Sequence, residues 1–237
     1  MPLNLDYVKE TREKPIIELP ISDEELISRY SAVFTAAIND VLRERGYLYQ
    51  TLPNDIQPLL PGMRVVGFAF TIKGSKNLRL EDEMMDRAKM LDSIKKYDVC
   101  VWDTSGDDES AQWGEMMTKC SKMHGCVGAV VDGGLRDVRQ VKETGFPVFR
   151  KYHSSNGMMG RFRMIGYQMP IHIGNVDIFP GDIIMGDDDG VIVVPREMAI
   201  SVLERAEEIR DEERDKVDPL IKKGLTAVEV VEQGGYF

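Results

Sequence analysis

The chain has 237 residues, enough for one substantial core, and its 43% hydrophobic and 30% charged content is that of a globular protein with no Pro/Gly/Ser-rich linker to divide it. A formal net charge of −10 argues against non-specific nucleic-acid binding, and every apolar run falls well short of the roughly 20 residues that cross a bilayer. A small anionic ligand would therefore need local positive charge.

The opening segment MPLNLDYVKETREK mixes acids with bases and has no apolar core of the signal-peptide kind, so a cytoplasmic protein is expected. Three cysteines, Cys100, Cys120 and Cys126, are too few and too odd a number for a disulfide framework. CSKMHGC brings Cys120, His124 and Cys126 close in sequence but lacks a second ligand pair at zinc spacing, so buried thiols are expected.

In chain order, residues 22–46 read as one helix, with Ser22 and Glu25 as a capping box, Gly46 as a stop, and an apolar stripe from Leu26 to Leu42. Residues 64–73 read as a strand. The segment 81–96 reads as a helix with Met84, Ala88 and Leu91 on one face, leading into the buried strand 98–102. A helix over 113–125, closed by Gly125, and a continuous apolar strand over 127–133 then suggest a parallel βαβ unit. From Pro147 onward short β segments prevail, with turns at Gly174-Asn175, Pro180-Gly181 and Asp189-Gly190, as in a meander or small barrel. Residues 196–216 read as an amphipathic helix with Ala199, Leu203, Ala206 and Ile209 inward. The expected organisation is a single domain over 1–237, with arms at 1–22 and 197–237.

Two segments carry residues suited to chemistry. In QWGEMM the residues after Gly114 open a helix, so the amides of Met116 and Met117 lack intrahelical partners and offer a seat for a carboxylate. In VVDGGLRD the strand is expected to end at Asp132 and turn through Gly133 and Gly134, leaving Arg136 and Asp137 at its C-terminal end. Arg136 presents a planar fork for a carboxylate, and Asp137 a hard oxygen for Mg²⁺, which keeps most of its waters. Side by side they would hold a 2-oxo acid. Taken alone, the pair also reads as an ion pair at a turn, and Glu115 as a helix-start acid.

Three blocks in this order, PGMRVVGFAFTI, WGEMMTKCSKMHGCVGAVVDGGLRDVRQV and PGDIIMGDDDGVIVVP, resemble the signature of the RraA-like family. The likeness covers most of residues 30–210. That family includes the class II 4-hydroxy-4-methyl-2-oxoglutarate/4-carboxy-4-hydroxy-2-oxoadipate aldolases. The resemblance implies an α/β fold of the swivelling β/β/α type with a central mixed sheet, assembled as a homotrimer or homohexamer with active sites at subunit interfaces. It also implies that Arg136 binds the pyruvate carboxylate, with Gly114 and the amides of Met116 and Met117 completing that site. By the same likeness, Asp137 ligates Mg²⁺ or Mn²⁺ and Glu115 holds a catalytic water. The expected activity is aldol cleavage to pyruvate, with oxaloacetate decarboxylation as a second reaction.

Departures from the family pattern lie in GSKNLRLEDEMM and in KYHSSNGMMGRFRMIGYQMP, whose Arg161, Arg163 and His153 could read a second carboxylate or serve as solvated loop charges. Glu208 and Glu212 are candidates for a glutamate that the aldolases take from a neighbouring subunit, and GDDDG (186–190) reads as a hairpin turn. The alternative function is that of the family's founding branch, which binds and inhibits a ribonuclease. The intact glycine-glutamate pair at 114–115 favours the enzyme. A phosphohistidine carrier would need an exposed histidine on a Gly-rich turn, and only His153 comes near that.

Overall fold

The β-branched and aromatic runs of the sequence become neighbouring strands of one mixed sheet in the computed structural model, which describes residues 3–235. The outermost residues of the two expected arms, 1–2 and 236–237, lie outside the described residues. The first part of the chain holds α1 (Asp6–Arg12), α2 (Asp23–Tyr30), α3 (Thr35–Glu44), β1 (Gln57–Pro58), β2 (Val65–Lys76) and α4 (Glu83–Asp92). The middle holds β3 (Asp98–Asp103), β4 (Ala111–Trp113), α5 (Glu115–Met123), β5 (Gly128–Leu135), α6 (Val138–Glu143) and β6 (Val148–His153). There follow β7 (Phe162–Tyr167), the hairpin β8 (Ile171–Ile173) and β9 (Val176–Ile178), and the hairpin β10 (Ile183–Asp187) and β11 (Gly190–Val194). The chain then runs through α7 (Ala199–Glu212), a π turn at Glu213–Val217, α8 (Asp218–Lys222) and α9 (Ala227–Glu232).

The strand order is β1-β6-β5-β3-β2-β10-β11, with β6, β5, β3 and β2 mutually parallel and β10 antiparallel to β2. The segment before β1 bonds to the far edge, through Leu52 N to Val191 O at 2.8 Å and Val193 N to Gln50 O at 2.9 Å. A few residues later Gln57–Pro58 pairs with β6, so one stretch of chain spans both edges and nearly closes the sheet into a barrel.

Side chains alternate across this wall. Ala69, Val99, Val101, Val130 and Phe149 face inward onto the β8–β9 hairpin, which plugs the barrel. Phe70, Ile72, Cys100, Trp102 and Val131 face outward beneath α4, α5 and α6, whereas Val66, Phe68, Ile183 and Val194 lie beneath α2, α3 and α7. Both faces are buried, which is why the strands read as unbroken apolar runs. Each fully buried Leu, Ile or Phe contributes about 1.5–3 kcal/mol. On the inward face the next residues along are charged, and Lys73–Asp103 at 2.6 Å and Lys151–Asp132 at 2.7 Å form ion pairs at the barrel mouth.

Three expectations are corrected. The helix over 22–46 is two helices, because Phe34 is extended and Asp187 of β10 accepts from both the amide and the hydroxyl of Thr35, at 3.0 and 2.7 Å. A cap supplied from 152 residues away leaves no local signal. At the start of α2, Ser22 does accept from Glu25 N, at 3.2 Å. In α4 only Leu91 of the predicted face packs against the core, since Met84 and Ala88 are exposed while Glu83 and Met90 are buried, Glu83 being tied to Arg87 one turn on. Finally, β5 does not end at Asp132 but runs to Leu135. Its glycines serve close approach and not a turn: a Cβ at Gly134 would stand 2.5 Å from Ser110 O and 2.6 Å from the Tyr152 ring.

One buried acid makes stability depend on pH. Burial pushes the Asp98 carboxyl up to about 6, opposed by a hydrogen bond from Lys95 N. The folded state then holds more protons than the unfolded chain between about pH 4 and 6, so this group costs stability as pH rises through that window. Asp98→Asn keeps an acceptor for Lys95 N, 2.7 Å away. Relative to the parent protein it is expected to gain on the order of 1–2 kcal/mol at pH 7 and little at pH 4, as thermal melts at the two pH values will show.

Candidate active site

The site forms where β4 and β5 end together, at the C-terminal edge of the parallel strands. Arg136 N donates to Trp113 O at 3.0 Å, which stitches the residue leaving β5 to the residue that precedes Gly114. Gly114 is the extended N-cap of α5. A Cβ there would stand 2.8 Å from Asp137 Oδ2 and 3.1 Å from Arg136 Cγ, so glycine is required by what lies above it. Thr118 holds the turn, accepting from Trp113 Nε1 at 2.8 Å and donating to Gly114 O at 3.0 Å. Behind it, Gln112 accepts from Gly134 N at 2.8 Å and donates to Asp107 at 2.6 Å.

Asp137 sits in the left-handed region, with φ 55°, at the start of α6. Aspartate tolerates this conformation better than most residues, and such a cost persists where the surroundings enforce it. Its Oδ2 accepts from Glu115 N at 3.2 Å and lies 3.5 Å from Arg136 Nε. The helix's first bond of its own comes from Thr118 N to Gly114 O, so the amides of Met116 and Met117 precede the intrahelical ladder. Gly114, Met116, Met117, Arg136 and Asp137 border a cleft of about 420 Å³ lined also by Arg87, Gly157 and Arg161. A second depression of about 370 Å³ lies against Arg136 and Asp137 on the side of His153, Ser154 and Ser155.

Gly114, Met116, Met117, Arg136 and Asp137 are thus gathered around one cleft. Glu115 contributes its amide, but its carboxylate turns along the helix to Lys119, at 2.5 Å. Arg163 is drawn away, donating to Glu81 O at 2.6 Å and to Asp86 at 2.7 Å, and only Arg161 of the loop arginines borders the cleft. His153 Nε2 lies 3.0 Å from Arg150 Nε, and burial with the nearby Arg150 charge holds its pKa below the ordinary histidine value. Glu208 pairs with Arg205 on α7 and Glu212 with Lys216 of the π turn that follows it, across the sheet from the cleft helices. GDDDG is the β10–β11 hairpin, where Asp187 caps α3 and Asp188 accepts from Gly62 N. Cys126 faces Cys100 across 3.8 Å, and all three cysteines are free thiols. Arg87, which joins the buried Glu83 to the cleft wall, carried no sequence signal.

The model of the RraA-like family, described as Aldolase/RraA, matches residues 35–193. This chain belongs to the RraA-like family. Among curated relatives, "Putative 4-hydroxy-4-methyl-2-oxoglutarate aldolase" of Halalkalibacterium halodurans is 31% identical over 81% of this chain and 88% of that one. Protein DlpA of Legionella pneumophila is 30% identical over 86% of this chain, which spans 32% of that longer protein. Among solved RraA-like folds, Streptomyces coelicolor RraAS2, called an unusual member of the RNase ES inhibitor RraA family, superposes with a TM-score of 0.75 at 28% identity, covering 82% of this chain and 97% of that one. A structure described as novel cellulases from microbes of the gut ecosystem has a TM-score of 0.87 at 46% identity, covering 90% of this chain and 96% of the other. Among the described residues, no helix is long and apolar enough to cross a membrane.

Proposed function

We propose that the protein is a divalent-metal-dependent aldolase that cleaves a 4-hydroxy-2-oxo acid, such as 4-hydroxy-4-methyl-2-oxoglutarate, to pyruvate, with oxaloacetate decarboxylation as a second activity. The observation that carries this reading is the meeting of Arg136, Asp137 and the first turn of α5 in one cleft. A guanidinium and open amides suit a carboxylate; a neutral sugar chain would instead call for two carboxylates flanking the scissile bond.

The donor set fits Mg²⁺ or Mn²⁺. Asp137 offers one carboxylate, with Oδ2 engaged by Glu115 N, and no cluster of three or more His, Cys, Asp or Glu stands ready to cage a metal among the described residues. One carboxylate, with waters and substrate oxygens completing the shell, is the way Mg²⁺ is commonly held, and it is a poor zinc site. Such an ion, when bound, stabilises the negative charge that develops on the 2-oxo oxygen.

The chain's own residues do the rest. Arg136 and the amides of Met116 and Met117 hold the substrate carboxylate, which orients the bond between C3 and C4. A base takes the proton of the C4 hydroxyl, that bond breaks to leave a carbonyl product and the enolate of pyruvate, and a proton returns to C3. Glu115, through a water, is the group we assign to that proton. Its pair with Lys119 is an exposed one on a helix, worth about 0.3–0.5 kcal/mol, so turning toward the cleft costs little. A homotrimer or homohexamer in the cytoplasm, with a partner's glutamate completing the site, belongs to the same proposal.

The competing reading, a regulator that binds a ribonuclease, draws on the RraAS2 likeness. A screen of 4-hydroxy-2-oxo acids and oxaloacetate, coupled to pyruvate detection, separates the two. Turnover that needs Mg²⁺ or Mn²⁺ and stops with a chelator is expected. No turnover across the panel at any metal concentration leaves the regulator.

A further inference from the structure

The core beneath α5 holds two thiols that the cleft chemistry does not use. Cys100 lies on β3 and Cys126 in the turn between α5 and β5, 26 residues apart in the chain, with their sulfurs 3.8 Å from each other. Both belong to the apolar cluster that also holds Trp102, Trp113 and Met117. One buried thiol is merely a small apolar side chain, whereas two whose sulfurs touch are the halves of a disulfide. The backbone fixes their approach: Cys126 N donates to Ser121 O at 3.1 Å, and Val127 N to Asp98 O at 2.9 Å.

The two thiols are not equivalent. Cys100 is wholly buried, but Cys126 keeps 5% of its surface and sits between the half-buried Gly125 and Val127. A hydrogen bond from the Cys100 thiol holds Cys126 below the ordinary thiol value, and burial pushes Cys100 well above it. The thiolate is the nucleophile, so Cys126 is the sulfur that a small oxidant meets first.

We propose that Cys100 and Cys126 are a redox modification site, which a hydroperoxide converts into a reversible intramolecular disulfide. The Cys126 sulfur attacks one oxygen of the hydroperoxide and forms an S–O bond while the O–O bond breaks. The other oxygen leaves with the Cys126 proton, as water or an alcohol. The Cys100 sulfur then attacks this sulfenic sulfur, the S–S bond forms, and the S–O bond breaks to release hydroxide, which departs as water with the Cys100 proton. The two sulfurs lose two electrons and the peroxide oxygens gain them. The sulfurs close from 3.8 Å to about 2 Å, and Cys126 lies outside both α5 and β5, so the movement falls on a turn and not on a strand. The bond ties β3 to the end of the helix whose first turn lines the cleft. In a reducing compartment such a pair is transient and redox-sensing. It does not depend on the reaction at the cleft.

The test is a disulfide map of the intact protein. All three cysteines start as free thiols. After hydrogen peroxide at a dose that oxidises free glutathione, followed by unfolding, alkylation and digestion, a peptide linking Cys100 to Cys126 is expected as the main product. Dithiothreitol should return both to the alkylated form. Cys120→Ser should keep the linked peptide and Cys126→Ser should lose it. Cys100 and Cys126 still alkylated after the treatment, a link made through Cys120 or between two chains, or sulfinic acid at Cys126 with no link overturns the assignment. The map of the parent protein decides the matter even where a core variant fails to fold.

Discussion

Asp137→Asn is expected to abolish metal-dependent pyruvate release while leaving the protein folded. Asparagine tolerates the left-handed backbone at φ 55° and can still accept from Glu115 N, so the geometry of Gly114 and α5 survives. What is lost is the charge that would hold the divalent ion. The fall should be at least the roughly 10²–10³-fold that removal of one electrostatic stabiliser costs. Asp137→Ala should be as inactive and less stable, since alanine pays more in the left-handed region, about 1–2 kcal/mol, and offers no acceptor. Coupled pyruvate assays over a Mg²⁺ titration, with melting curves of both variants, supply the measurement. A variant with an ordinary Mg²⁺ response and turnover would falsify the metal assignment.

Arg136→Ala is the second large effect. Its guanidinium stands over Gly114 and Gly157, and removing it leaves the cleft without its central cation. We expect kcat/KM on any 2-oxo acid to fall by about 10²-fold or more, the weaker binding appearing in KM and the loss of orientation in kcat. Arg136→Lys should recover only part, because an ammonium is a point charge and cannot fork across two carboxylate oxygens. Full recovery with lysine would mean that charge alone matters there. This substitution should weaken 2-oxo diacids and monoacids alike, because both carry the carboxylate that Arg136 would hold.

Much of the site was legible because each half is local. The order Gly114, Glu115, Met116 places a glycine before open amides, and Arg136 with Asp137 follows an apolar strand; neither needs distant information. That the halves meet was implied by the resemblance, and the bond from Arg136 N to Trp113 O makes the contact. The direction of the Glu115 carboxylate was not legible, since Lys119 one turn along competes for it. Nor could the sequence tell Arg161 from Arg163. On a strand or loop edge two residues apart they look alike, and the difference is that Glu81 and Asp86 of another segment claim only Arg163.

The amino-acid order alone determined the buried runs of β2, β3 and the first part of β5, the amphipathic α7 and the family, because two-sided burial imposes unbroken apolar runs and helix faces impose their period. The tertiary structure alone decided where the chain breaks between α2 and α3, why Gly133 and Gly134 stay within a strand, and which cation remains unclaimed at the cleft. Each of these depends on an atom brought from far along the chain: the Asp187 carboxylate, the Gln112 and Ser110 oxygens, the acids near Arg163. Such partners act over a few ångströms in space and carry no weight in the residues next door.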